Sequence, residues 1–332
     1  MNFKQFYEKN YKKLLIVSII LLILSLSYIG YFYFKTGDII RRDVSLTGGT
    51  TITLFSNISI QEIEQALPDI DANIRTLSDN TGRQTQIIIT VPEEQTQQTQ
   101  SALESYLGYK LTNENSSIES TSSSLSADFY KQLITALILA FFWMAAVVFI
   151  IFAESRRLKL IAVILNILFG IFIGMLFKSP LIIIFLLPLS IFLLYMYIRY
   201  SIPSFAVMLS AFADIIMTLA LVNLIGIRLS TAGIVAFLMI IGYSVDTDVL
   251  LTKRLLRNRK DTYEGMKGAF KTGTTMTLTS IIAVATALIA IYSFGSVLNQ
   301  IFTILLIGLG FDLFNTWITN ASIIKWYVSK KQ

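Results

Sequence analysis

Asp246 and Asp248 lie two residues apart in the apolar run Ile240-Ile241-Gly242-Tyr243-Ser244-Val245-Asp246-Thr247-Asp248-Val249-Leu250-Leu251. A carboxylate at membrane depth is costly, so it calls for a pathway, a partner or a task in ion movement. Asp214 and Asp312 sit inside two further apolar runs. The chain has no histidine and no cysteine. Proton handling near neutral pH therefore falls to carboxylates and water, and disulfides, thiolate ligands and thiol nucleophiles are excluded. Asp214, Asp246, Asp248 and Asp312 are the proton-relay candidates. Asp248, one turn from Thr252 and Lys253, also reads as a structural ion pair or a solvated helix end.

Polar residues accompany these carboxylates at helical spacing. Ser210, Asp214 and Thr218 follow one another at four-residue steps, and Ser244 precedes Asp248 by four. Thr272, Thr275 and Thr279 form one stripe, and Asp312, Asn315, Thr316, Thr319 and Asn320 another. Hydroxyls and amides alone read as interhelical glue at ~1 kcal/mol per contact. Lys253, Arg254 and Lys271 are the candidate basic partners, and the helix carrying Asp246 and Asp248 would shift when a carboxylate facing one of them gains or loses a proton.

Eight apolar segments of near-spanning length carry these stripes, at about 14–34, 130–152, 158–177, 180–199, 203–225, 230–255, 271–293 and 299–327. With 54% hydrophobic and 14% charged residues the chain is a polytopic membrane protein. Lys4, Lys9, Lys12 and Lys13 precede the first span, which lacks a small-residue cleavage site and reads as a retained anchor. Alternation from a cytoplasmic N-terminus puts Arg156, Arg157, Lys159, Arg199, the basic 253–271 loop and Lys325, Lys330 and Lys331 on the same side, as the positive-inside rule requires. The net charge of +6 thus reflects topology and implies no nucleic-acid partner.

Residues 35–128 are the one long non-membrane segment, between the 1–34 entry and the 129–332 helical half. This segment carries six Lys or Arg against thirteen Asp or Glu and falls on the extracytoplasmic side. Strands are predicted at 50–54, 72–77, 84–91 and 116–124. Helices are predicted at 59–67, where Ser59 and Glu62 form a capping box, and at 93–107 after Pro92. The order βαββαβ predicts a ferredoxin-like α+β sandwich. Thr47-Gly48-Gly49-Thr50 leads into it. Two adjacent glycines permit a positive-φ turn, read either as a structural entry to the first strand or as a peptide-gripping loop.

Leu46-Thr47-Gly48-Gly49-Thr50, Ala211-Phe212-Ala213-Asp214, the 241–248 run and Lys271-Thr272-Gly273-Thr274-Thr275-Met276-Thr277-Leu278-Thr279-Ser280 together resemble the SecF family of protein-export membrane proteins. The Val-Asp-Thr-Asp form, with Phe311-Asp312-Leu313-Phe314-Asn315-Thr316-Trp317, is similar to its archaeal branch. The resemblance implies a six-helix unit of the resistance-nodulation-division superfamily, a SecD-like partner and a place beside the Sec translocon. It also implies that the proton gradient helps draw a secreted polypeptide across the membrane. Residues 153–198 depart from the family pattern and read as an added helical hairpin, facing lipid or a partner.

Two other classes remain for comparison. One is a proton-coupled exporter of a small molecule or lipid from the same superfamily. Such exporters carry two six-helix repeats and large outside domains, whereas this chain has one of each. The other is an intramembrane aspartyl enzyme, whose motifs are missing, so no catalysis is expected. The carboxylates do not cluster with other ligands at metal-binding spacing, and no cofactor or metal is indicated.

Overall fold

The structure, a computed structural model, describes residues 3–78, 83–176, 179–258, 262–292 and 297–331. Helix α1 (Phe3–Thr36) leads to a one-turn helix α2 (Val44–Thr47) and a small sheet domain. Its elements are β1 (Gly49–Leu54), α3 (Ile60–Ala66), β2 (Asn73–Ser78), β3 (Gln84–Val91), α4 (Thr96–Leu107) and β4 (Ser116–Thr121). The strands form one antiparallel sheet in the order β2-β3-β1-β4. Ile52, Leu54, Ile87, Ile89 and Val91 alternate onto one face and pack with Ile63 of α3 and Leu103 of α4. Ser59 accepts from the Glu62 amide and Glu62 reaches back to the Ser59 amide, so the expected capping box starts α3.

The remaining chain is helical: α5 (Ser123–Phe152), α6 (Arg156–Met175), α7 (Ile183–Tyr200), α8 (Ile202–Ile225), α9 (Thr231–Arg257), α10 (Thr262–Ile291), α11 (Val297–Asn315) and α12 (Ala321–Lys331). A π-helical turn, Thr316–Asn320, joins α11 to α12 in one continuous span. Among the described residues, eight helices are long and apolar enough to cross a membrane, matching the expected number. Their ends differ from the expected ones. α5 starts at Ser123 and α10 at Thr262, about seven and nine residues early, because polar turns extend each helix beyond its apolar stretch. Residues 123 and 124 accordingly belong to α5 and not to β4.

α8 is the central helix. It is buried over most of its surface, and the small residues Ser204, Ala206, Ser210, Ala211, Ala213 and Ala220 let α1, α5, α9 and α11 approach it closely. Ser201 caps its start, Pro203 fits the first turn, and Gly226 at φ +87° ends it. α9 crosses α11 where a Cβ on Gly308 would run into the Ile240 side chain. A Cβ on Gly273 of α10 would come within 2.9 Å of Thr247 and 3.1 Å of Trp317. The hairpin α6–α7 leans on α5 and α8 through Phe149, Phe169, Leu193, Met196 and Tyr197.

The sheet domain is fastened to one end of the bundle. Arg42 pairs in a parallel bridge with Leu229, whose amide bonds the Arg41 carbonyl at 2.6 Å. Asn223, near the end of α8, donates to the Ile39 carbonyl and accepts from the Arg41 amide. Asp71 accepts from Arg228 at 2.6 Å, and buried Asp43 accepts from Asn73 and Arg75. The connector between α8 and α9 therefore carries the domain.

Gly48 and Gly49 have φ of +85° and +152°, conformations that disfavour side chains. A Cβ on Gly48 would collide with the backbone of Ser123, and one on Gly49 with the Val91 carbonyl. This packing favours the structural reading of the Thr47–Thr50 turn, which seats the first strand against the start of α5.

Candidate functional site

Asp214 on α8 is fully buried at the middle of the bundle. Its Oδ2 accepts from Ser244 Oγ of α9 at 2.5 Å, and its Oδ1 accepts from Asn315 Nδ2 of α11 at 2.8 Å. Asn315 Oδ1 in turn accepts from Ser18 of α1 at 3.1 Å and from Thr319 at 2.8 Å, and the Ser18 and Thr319 hydroxyls bond each other. One carboxylate on α8 thus organises hydroxyls and an amide from three other spans.

Asp312 and Asp248 continue the network. Asp312, also buried, accepts from Thr316 at 3.2 Å and from Thr277 of α10 at 3.4 Å, and the Ser244 hydroxyl stands beside it as well as beside Asp214. Thr247 bonds Thr277 from the next turn of α9. Asp248 Oδ1 accepts from Asn320 Nδ2 at 2.9 Å, and Asn320 Oδ1 accepts from Thr252. Ser210 stands beside the Asp248 carboxylate, yet neither Ser210 Oγ nor Asp248 Oδ2 reaches hydrogen-bonding geometry with any protein atom. Thr218 Oγ1 is likewise buried without a partner.

Among the described residues, no lysine or arginine forms an ion pair with any of these aspartates. Lys253 and Lys271 are exposed, and Arg254 bonds the Gly268 carbonyl, clamping α9 to α10. The three expected basic partners therefore stand apart from the carboxylates. A buried carboxylate without a cation is held by hydrogen bonds alone, so its proton is the natural means of compensating its charge.

Asp246 is placed differently from the other three. It is exposed on α9 beside Tyr243, because residues two apart on a helix point about 200° from each other and Asp248 takes the inward position. A cavity of about 50 Å3 lies next to it, lined by Tyr243, Asp246, Thr247, Met276, Thr277, Ser280, Leu309 and Asp312. It spans from an exposed aspartate to a buried one and has room for water. On α10, Thr272, Thr275 and Thr279 bond carbonyls four residues back on their own helix. The hydroxyl there that meets a carboxylate of the network is Thr277, one turn beyond the closely packed Gly273.

Of the stripes read in the sequence, Ser244, Asn315, Thr316 and Asn320 join the network directly. Ser18 and Thr277 were not among the expected site residues. Ser18 carries a signal in retrospect: it is the only polar residue between Lys13 and Ser25 and is 1% exposed on a helix that is mostly bare.

A relative from Methanocaldococcus jannaschii named protein-export membrane protein SecF is 33% identical over 329 residues, covering 97% of each chain. The chain belongs to the SecF family. A SecF from Pyrococcus furiosus is 29% identical over 99% of this chain and 95% of its own. The family model described as protein export membrane protein SecD/SecF, C-terminal, matches residues 172–330, which include every aspartate of the network. The SecF-like fold also matches the crystal structure of SecDF, described as a translocon-associated membrane protein, from Thermus thermophilus. That match has a TM-score of 0.58 at 15% identity and covers 98% of this chain. It spans 38% of the SecDF chain, so the likeness is to one part of a longer protein. Family membership and eight apolar spans together make this a multi-pass membrane protein.

Proposed function

We propose that this chain is an accessory subunit of the Sec protein-export machinery, working with a SecD-like subunit beside the translocon to advance or release secreted polypeptides. The proton gradient drives it through the carboxylate network. The observation that carries this reading is Asp214. It is fully buried without a cation, hydrogen-bonded to two other helices, and joined through Ser244 to Asp312 and the water-sized cavity at Asp246. Protons reach Asp312 from Asp246 through that cavity and pass to Asp214 by way of Ser244. Changing the charge on Asp214 alters its bonds to α9 and α11, and α8 conveys the change toward Asn223 and the connector that holds the sheet domain. One proton crossing 100 mV releases ~2.3 kcal/mol, enough to bias a two-state domain movement but not to unfold a stable cargo.

The architecture behind this reading is a six-helix resistance-nodulation-division unit with the hairpin at about 153–198 added. Both termini are cytoplasmic, and residues 35–128 form the extracytoplasmic domain. The strand order β2-β3-β1-β4 with two helices on one face supports a ferredoxin-like sandwich there. The exposed face of α9 bearing Tyr243 and Asp246 would meet the SecD-like subunit, which removes that carboxylate from lipid.

Export of a small molecule through this chain is less well supported. Ligand pockets occupy about 300–1,000 Å3, whereas the cavity at the carboxylates measures about 50 Å3. The deciding experiment replaces Asp214 and Asp312 singly by asparagine and follows export of a secreted reporter with and without a proton gradient. Each variant is expected to copurify with the SecD-like subunit yet lose the gradient-dependent part of export. Full gradient dependence in both would end the relay reading.

A further inference from the structure

The hairpin α6–α7 begins with a tight turn, Ala153 to Ser155, that leaves a groove between the end of α5 and the start of α6. The groove holds about 360 Å3 and is lined by apolar surface alone, from Ile150, Leu160 and Val163 and from the aliphatic stems of Arg156 and Lys159, whose cations belong at its rim. Among the described residues neither cation forms an ion pair, and Glu154, two residues before Arg156, pairs with neither. Below the cations, Leu160, Ile161, Ile164 and Ile171 of α6 are 41–63% exposed, so the groove opens onto an unbroken apolar strip. The positive-inside rule accounts for basic residues at this end of the bundle, but not for an apolar slot beneath two of them.

We infer that this groove holds the headgroup and upper acyl chain of one anionic phospholipid, with its phosphate on Arg156 and Lys159 and its chain over Ile150, Leu160 and Val163. The inference rests only on the chain's crossing a membrane and is independent of the export reading. Two unpaired cations above an apolar slot complement a molecule whose anion and hydrocarbon are joined end to end. A free phosphate would use the cations and leave the slot unfilled. The lipid would fill the slot between α5 and α6, giving the hairpin a part in fixing the bundle to the leaflet.

The test reconstitutes the full chain in phosphatidylcholine nanodiscs containing 10 mol% phosphatidylglycerol, then counts retained lipids by native mass spectrometry after mild extraction. One phosphatidylglycerol per chain is expected, and Arg156→Gln with Lys159→Gln should lower its occupancy by about thirtyfold, two charges at the strength such cations show toward anionic membranes. Lys12→Gln with Lys13→Gln, two exposed bases on α1, should leave occupancy unchanged. Val163→Trp keeps both cations and fills the slot, and it too should displace the lipid. Equal loss in the α1 control, or retention in the Arg156/Lys159 pair, overturns the site. Retention in Val163→Trp alone would place the headgroup on the surface and overturn the groove.

Discussion

Replacing Ser244 by alanine removes the hydroxyl that bonds Asp214 at 2.5 Å and stands beside Asp312, while leaving no large void. Hydrogen bonds to charged acceptors contribute ~1.5–3 kcal/mol in soluble proteins. Side-chain bonds between membrane helices average ~0.6 and reach ~1.7 kcal/mol, because the separated helices also find partners. A short bond to a fully buried carboxylate belongs at the top of that membrane range. A double-mutant cycle of Ser244→Ala with Asp214→Ala, read by reversible unfolding in mixed micelles, should give a coupling of about 1.5 kcal/mol. The longer contact between Thr277 and Asp312, at 3.4 Å, serves as the internal comparison. Its cycle should give no more than the membrane average of ~0.6 kcal/mol. Equal couplings in the two cycles would refute the ranking by geometry and, with it, the special place given to Ser244.

Gly48→Ala should destabilise the chain by roughly 1–3 kcal/mol, since the turn needs positive φ and the new Cβ meets the Ser123 backbone. The loss appears as a lower thermal midpoint, whereas Gly108→Ala, also at positive φ but in open space, should cost less. Glu93 accepts from the Ser123 hydroxyl at 2.7 Å and from its amide at 3.2 Å, and these bonds hold its carboxyl below the usual range. With the folded pKa lowered, the contact is intact above the ordinary glutamate range and is lost as pH falls through the folded value. Protection of the amides at the start of α5, taken relative to their intrinsic exchange rates, should therefore fall on acidification, and Glu93→Gln should flatten that dependence.

The number of spans was legible because an apolar stretch of spanning length has one physical reading in a membrane. The capping box of α3 was legible because it is local, two side chains closing on amides three residues apart. The helix ends were misplaced because hydropathy sees where hydrocarbon stops and not where the backbone stops coiling, as α5 and α10 show. The inward member of the Asp246/Asp248 pair was misjudged: Asp248 also read as an ion pair or a solvated helix end because Thr252 and Lys253 follow it by about one turn, whereas the neighbours of α9 bury it and leave Asp246 exposed. Ser18 lies 297 positions from Asn315, and only packing could join them. Thr277 was hidden by the more regular stripe at 272, 275 and 279, whose hydroxyls turn back onto their own helix.

The π-helical turn at Thr316–Asn320 bears on which changes of length the chain tolerates. Such a turn contains one residue more than the α-helix it interrupts, and that surplus brings Asn315 and Asn320, five apart, onto one side of the span. Deleting a single residue there would leave a regular, equally hydrophobic helix of almost the same length. Because the wide turn takes up the surplus residue, five residues there sweep nearly the same angle as four of a regular α-helix, so the chain after the deletion would keep almost the same facing. At this point a one-residue gap is absorbed, whereas the same gap elsewhere in the span would turn everything after it by about 100°.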